Sequence, residues 1–366
     1  MLIFRSPVRI SFAGGGTDLP SYYERYGGIV ISTSINRYFY TVLQKRQDDK
    51  IQVISSDLQV SETWEDIAAM DLSQTSLEIP LAVLKEMGCS GLAFDMFMSS
   101  EIPPGTGLGS SACVCVNVIK ALSTYLGIPM SRYEQAELAF HIARNVLKKP
   151  VGKQDEYAST FGGLNKIEFF RDGSTEVTPI ALEYEVLKEF EGNLMLFFTG
   201  ASHDSWNILK HQDDSTRSDE LGVIDSLHRI QDLSADVLEA FRRANIHRVG
   251  ELLHEGWLAK RKISGNISTS RIDDLYHIAR LNGAVGGKIT GAGGGGFLLL
   301  YCEQKYQPTV REALARERLH EMSFQFDTLG SNVVVNDPFI DGDARCDKRW
   351  TFYSNRESAP SRELSA

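Results

Sequence analysis

The sequence predicts an α+β protein of two domains. Three observations lead there. Strand-like and helix-like segments follow one another without the steady βαβ rhythm of a doubly wound parallel sheet. The 366 residues suffice for two hydrophobic cores. Glycines gather into runs at strand ends and ahead of a helix, where backbone can come close to a ligand.

The elements read in order. Leu2–Ala13, Ile29–Gln44, Ile51–Ser55 and Leu92–Met98 are strand-like, the second being rich in β-branched and aromatic residues. Ser110–Leu126 is an apolar helix of small and branched residues, and Cys113 and Cys115 are small core residues within it. Ser131–Leu147 is an amphipathic helix, with Ser131 and Glu134 spaced as a capping box. Strands return at Leu164–Phe169 and Leu194–Thr199. Asp204–Leu281 is mostly helical, and a glycine run then leads into a strand at Phe297–Tyr301. A charged helix around Val310–Glu321 and a strand near Asn332–Val335 complete the pattern. Glu183–Glu191 is charge-rich and reads as a connector, which places one domain at 1–185 and a second at 186–340. Residues 341–366 lose periodicity and read as a tail. The chain has no internal repeat.

Composition narrows the function. Hydrophobic residues are 42% and charged residues 23%, a globular balance. The net charge of −10 argues against a nucleic-acid or anionic-membrane binder, which needs a basic face. No apolar run reaches the roughly 18–20 residues of a membrane span. Residues 1–9 read as the start of a strand, without the features of a signal peptide. Five cysteines without a CxxC pair indicate neither a disulfide framework nor a zinc site, so a reducing cytoplasm is expected. The eight histidines show no metal-ligand spacing.

Three glycine segments carry the chemistry. Pro103-Pro104-Gly105-Thr106-Gly107-Leu108-Gly109-Ser110-Ser111-Ala112 runs straight into a helix. The first N–H groups of a helix are unpaired and its dipole is positive there, so this is an anion site suited to phosphates. It is not a Walker loop, because no lysine precedes Ser110. Gly291, Gly293 and Gly296 satisfy the GxGxxG expression but lead into a strand, so the dinucleotide-binding reading fails. Ala13-Gly14-Gly15-Gly16-Thr17-Asp18 ends a strand with a hydroxyl and a carboxylate suited to sugar hydroxyls, although such a tripeptide is more often a simple turn.

The order and context of these segments resemble the GHMP kinase superfamily over nearly the whole chain, from Pro7 to Tyr301. Within it, Ala-Gly-Gly-Gly-Thr-Asp at 13–18, Gly152-Lys153-Gln154-Asp155 and the glycines at 291–296 look most like the D-glycero-D-manno-heptose 7-phosphate kinases. The resemblance implies a ribosomal protein S5 domain 2-like first domain and a ferredoxin-like second. It implies ATP phosphates at Pro104, Gly105, Gly107, Leu108, Gly109, Ser110, Ser111 and Ala112, with Ser110 or Ser111 on Mg²⁺. Gly16, Thr17, Asp18, Lys153, Thr290, Gly291, Ala292 and Gly293 would then meet the acceptor, a small sugar phosphate. Asp155 matches the catalytic aspartate, and Arg9 a basic position that orients or neutralises the reacting groups. An oriented carboxylate suits phosphoryl transfer to a hydroxyl. A sibling kinase acting on an unphosphorylated sugar such as fucose, and a catalytically weak regulator, are the alternatives; a homodimer is left open.

Several residues depart from that pattern. A Mg²⁺-ligand glutamate is usual about a dozen residues before the aspartate, yet Ala143 stands there, with Glu137 and Glu156 the nearest carboxylates. His203 occupies a position where arginine is expected. Trp257, Lys260, Arg261 and Lys262 form a basic cluster on a helix, which reads first as a solvated face.

Overall fold

The computed structural model describes residues 1–200 and 205–337. His203, Cys346 and the tail lie outside the described residues.

The first layer is a nine-stranded sheet. β1 (Leu2–Ala13) passes through the short helix α1 (Pro20–Tyr26) into β2 (Gly28–Lys45). Pro7 has no N–H to give the ladder, and the β1–β2 register shifts there: Pro7 faces Tyr38 but Val8 faces Ile35. β3 (Ile51–Ser55) and β4 (Val60–Trp64) form a hairpin, followed by α2 (Glu78–Glu86) and β5 (Phe94–Ser100), which lies parallel to β3. α3 (Ser110–Tyr125) and α5 (Gln154–Phe161) pack on β1 and β2, and α4 (Arg132–His141) packs on both helices. The capping box of α4 forms as expected. The expected single helix through Leu147 instead widens into a π turn at Ile142–Val146. β6 (Leu164–Phe169) pairs with the first half of β2, and β7 (Thr175–Pro179) extends β6.

Glu183–Glu191 is a helix and not a connector. α6 (Tyr184–Gly192) exposes its charges, but its Phe190 is fully buried. β8 (Leu194–Phe198) opens the second layer, followed by α7 (Ser205–Arg217), α8 (Leu221–Arg242), α9 (Ile246–Lys260) and α10 (Ser270–Leu281). β9 (Gly286–Ile289), β10 (Phe297–Tyr301), α11 (Gln307–Arg316) and β11 (His320–Glu321) complete it. The sheet order is β11-β8-β10-β9, with every pair antiparallel, which is the ferredoxin-like arrangement. The charged helix stops at Arg316, because His320 and Glu321 pair with β8.

Residues 326–336, expected with the second domain, return to the first sheet. β12 (Phe326–Asp327) pairs with β2, and β13 (Asn332–Asn336) pairs with the outer edge of β1. Among the described residues no helix is long and apolar enough to cross a membrane.

An aromatic joint connects the two layers. The Phe190 ring lies 5.1 Å from Phe12 of β1 and 5.0 Å from Phe241 of α8, both edge-on, and also approaches Tyr301 and Phe326. Edge-to-face pairs add to what burial alone contributes. Phe190→Ala should cost about 3–5 kcal/mol of unfolding free energy. Urea denaturation measures this, and a loss below about 1 kcal/mol would show that the joint does not hold the layers together.

Candidate active site

A cleft with about 380 Å³ of free volume lies where the glycine loops meet, within the usual size range for a small-molecule site. Its first wall is the loop into α3. Gly105, Gly107 and Gly109 all have left-handed φ, at 73°, 80° and 79°. Gly109 caps α3 without any side-chain hydrogen bond, so no cap competes for the first N–H groups of the helix. Pro104, Gly105, Gly107, Gly109, Ser110, Ser111 and Ala112 line the cleft, whereas Leu108 is buried in the core.

The loop after β9 braces this wall. A Cβ on Gly107 would lie 2.5 Å from the Thr290 carbonyl oxygen, and one on Gly296 would lie 2.2 Å from that of Thr106. The Thr290 hydroxyl and the Phe297 N–H both donate to Thr106 O, each at 3.3 Å. Gly291 and Ala292 therefore reach the cleft, while Thr290 and Gly293 support them from behind.

The third wall follows β1. Gly16 and Asp18 line the cleft, but Thr17 does not. The Thr17 hydroxyl is fully buried and engaged with Gly14 O at 2.8 Å and with the Ile29 N–H at 3.1 Å. It closes the turn and is not offered to a ligand, which corrects the sequence expectation. Asp18 accepts from the Gly16 N–H at 2.9 Å and from the Gln154 backbone and side chain at 3.2 Å. Burial, with the nearby Asp155 charge added, raises its carboxyl above the usual range.

Asp155 sits in the first turn of α5, and Arg9 holds it. The Arg9 guanidinium donates from Nε to Asp155 Oδ1 at 2.7 Å, approaches the same oxygen with Nη2 at 2.6 Å, and donates from Nη1 to Gly107 O at 2.7 Å. The Arg9 side chain is 4% exposed and Asp155 27%, so the carboxylate faces the opening while its partner lies behind it. Lys153, expected in the site, turns away. Its ammonium pairs with Glu137 Oε1 at 2.6 Å and donates to Gly173 O at 2.7 Å, and it does not line the cleft.

Lys260 is the residue that sequence reasoning misplaced. Trp257 and Lys260 are buried, not solvated, and the Lys260 ammonium donates to Gly291 O inside the cleft. Burial and the Arg9 charge lower its pKa to about 8. Lys288, also buried, donates to Ser11 O at 2.9 Å, and burial lowers it well below the ordinary lysine value. Neither makes an ion pair among the described residues. An uncapped helix start, two serine hydroxyls and the buried Lys260 suit a polyanion. Among the described residues no cluster of three carboxylate, histidine or cysteine side chains stands ready for a metal. The residues present therefore fit a Mg²⁺ ion held largely by a nucleotide's own phosphates, with Ser110 or Ser111 beside it.

Comparison with known proteins follows this geometry. The GHMP kinases N terminal domain profile matches residues 76–163, and the GHMP kinases C terminal profile matches 237–321. A D-glycero-alpha-D-manno-heptose 7-phosphate kinase of Campylobacter jejuni is 31% identical over 88% of this chain and 95% of its own length. The chain belongs to the GHMP kinase family. Among solved structures, a D-glycero-D-manno-heptose 1-phosphate kinase from Bacteroides thetaiotaomicron superposes with a TM-score of 0.76, at 26% identity over 91% of this chain and 98% of that one. A putative sugar kinase from Campylobacter jejuni gives 0.74 at 30% identity, over 91% and 97%. The protein is thus a GHMP sugar kinase, an ATP-dependent phosphotransferase with the two-domain fold of that family.

The buried lysines yield a prediction with a definite sign. The folded-state pKa of Lys260, about 8, is below its unfolded value of 10.5, so burying the charge costs stability below pH 8. That cost fades as pH rises from about 8 to 10.5. Lys260→Met should therefore raise stability near pH 7 by about 1–3 kcal/mol, after the lost hydrogen bond to Gly291 is counted. The gap should close toward pH 10. Chemical denaturation across this range reads it, and a variant less stable than wild type at pH 7 would refute the sign.

Proposed function

We propose that the chain transfers the γ-phosphoryl group of ATP to the anomeric hydroxyl of D-glycero-D-manno-heptose 7-phosphate, giving the 1,7-bisphosphate and ADP. The observation that carries this reading is the Asp155 carboxylate, held by Arg9 between the uncapped start of α3 and Asp18. Asp155 accepts the proton of the sugar hydroxyl as that oxygen attacks the γ-phosphorus in line, and the bond to the ADP oxygen breaks. The N–H groups at the start of α3, together with Arg9 and Lys260, stabilise charge on the transferring group. Ser110 or Ser111 would hold a Mg²⁺ ion, which when bound would further neutralise the nucleotide phosphates. Asp18 and the Gly16 backbone meet the sugar. Lys260 gives the cleft the positive potential that suits a phosphorylated sugar. We place this activity in the cytoplasm.

The relatives' names support the sugar class and differ on the phosphate, since one is called a 7-phosphate kinase and another a 1-phosphate kinase. A fucokinase domain is a more distant match, at 23% identity. A panel of heptose, heptose 1-phosphate, heptose 7-phosphate and fucose with coupled ADP detection tests the assignment, and phosphorus NMR locates the new ester. Heptose 7-phosphate should give the highest kcat/KM with phosphate appearing at the anomeric carbon. Preference for fucose, or a new ester elsewhere, would sink the proposal.

The assignment of Asp155 has its own test. Asp155→Asn keeps a hydrogen-bond acceptor for Arg9 but removes the base, so turnover should fall roughly 10²–10⁴-fold while ATP still binds. Turnover near wild type would remove Asp155 from the proton transfer.

A further inference from the structure

Glu156 is a buried carboxylate that the fold leaves incomplete. It is 1% exposed and lines the cleft, and its Oε2 has no hydrogen-bond partner. No basic side chain among the described residues pairs with it. Burial, with Asp155 and Asp18 nearby, pushes its carboxyl well above the usual range. A buried carboxylate in this condition is costly unless it holds a proton or a cation joins it.

Its position relates it to the nucleotide wall. Glu156 lies on α5, which packs on α3, and its charge is felt at Cys115. Cys115 follows Ser111 by one helical turn on the same face of α3. The Cys115 thiol points at the Ala139 carbonyl at 3.8 Å, and Ala139 precedes Ala143 by one turn. Ser111, Cys115, Ala143 and Glu156 all line the same cleft. Positions 156 and 143 therefore line the same cleft as Ser111, and position 143 offers only a methyl group.

We propose that Glu156 supplies the protein's carboxylate ligand to the divalent cation that accompanies the nucleotide, in the space that Ala143 leaves open. The assignment rests on the kinase reading above. It places the metal's carboxylate on the same helix turn as Asp155, so that α5 presents both the base and the ion's ligand.

Mn²⁺ serves as the probe, with the full chain saturated by a non-hydrolysable ATP analogue and free Mn²⁺ followed by electron paramagnetic resonance. Glu156→Gln should weaken Mn²⁺ roughly tenfold or more, with metal-free nucleotide affinity unchanged. Adding Ala143→Glu to Glu156→Gln should recover most of the loss. In wild type labelled with carboxyl-¹³C glutamate, pulsed measurements on bound Mn²⁺ should show a ¹³C coupling that disappears in Glu156→Gln. Unchanged Mn²⁺ affinity in the variant, or no such coupling in wild type, overturns the assignment of Glu156 alone. If Glu156→Gln does not fold, the absence of a ¹³C coupling in the labelled wild type still overturns the assignment. A wild type that binds no nucleotide overturns the kinase reading and the metal assignment with it.

Discussion

The site depends on one guanidinium. Arg9 leaves β1 just past the register shift at Pro7 and reaches both the glycine loop before α3, at Gly107 O, and the first turn of α5, at Asp155. Its backbone N–H also donates to Leu108 O at 3.0 Å. Strand, loop and helix are thus fixed to a single rigid, planar group. The loop has few side-chain restraints of its own, because its glycines were selected for conformation and close approach. Arg9 and the brace at Thr290–Gly296 supply the order that the loop lacks.

The cleft is also costly by design. Lys260 in the cleft and Lys288 behind it are buried and, among the described residues, make no ion pair; Lys288 is further depressed by Lys260 and Arg9. A packed apolar pair would serve stability better. What the Lys260 ammonium provides is a positive potential already in place in the cleft, so little reorganisation would remain when an anion binds. Stability and binding are in tension here, as is usual where a fold prepares for a charged ligand.

Features written locally in the chain were legible. The uncapped helix start, the capping box at Ser131 and the failure of the GxGxxG run as a dinucleotide site all follow from neighbours in sequence. Features decided by distant packing were not. Lys260 stands beside Arg261 and Lys262, and nothing nearby announces that α9 buries it against the loop at Gly291. Lys153 precedes Asp155 by only two residues, yet at the cap of α5 it turns toward Glu137. Thr17 looked like a sugar contact until Ile29, on the next strand, engaged its hydroxyl. Glu183–Glu191 has the charge of a linker, and only Phe190 betrays the helix. The second sheet's strand order and the return of residues 326–336 to the first sheet have no local signature at all.

That return has a consequence for how the protein is made. During synthesis β1 emerges first, and β2 soon covers one of its edges. The other edge, along Leu2–Arg5, receives its partner only when Asn332–Asn336 has been translated. The intervening chain contains the whole second layer, so the first layer must wait with an open strand edge, a ready template for pairing with other chains. Nascent chains of this kinase therefore carry their greatest aggregation hazard late, when the second sheet is already able to form and the first still lacks β12 and β13.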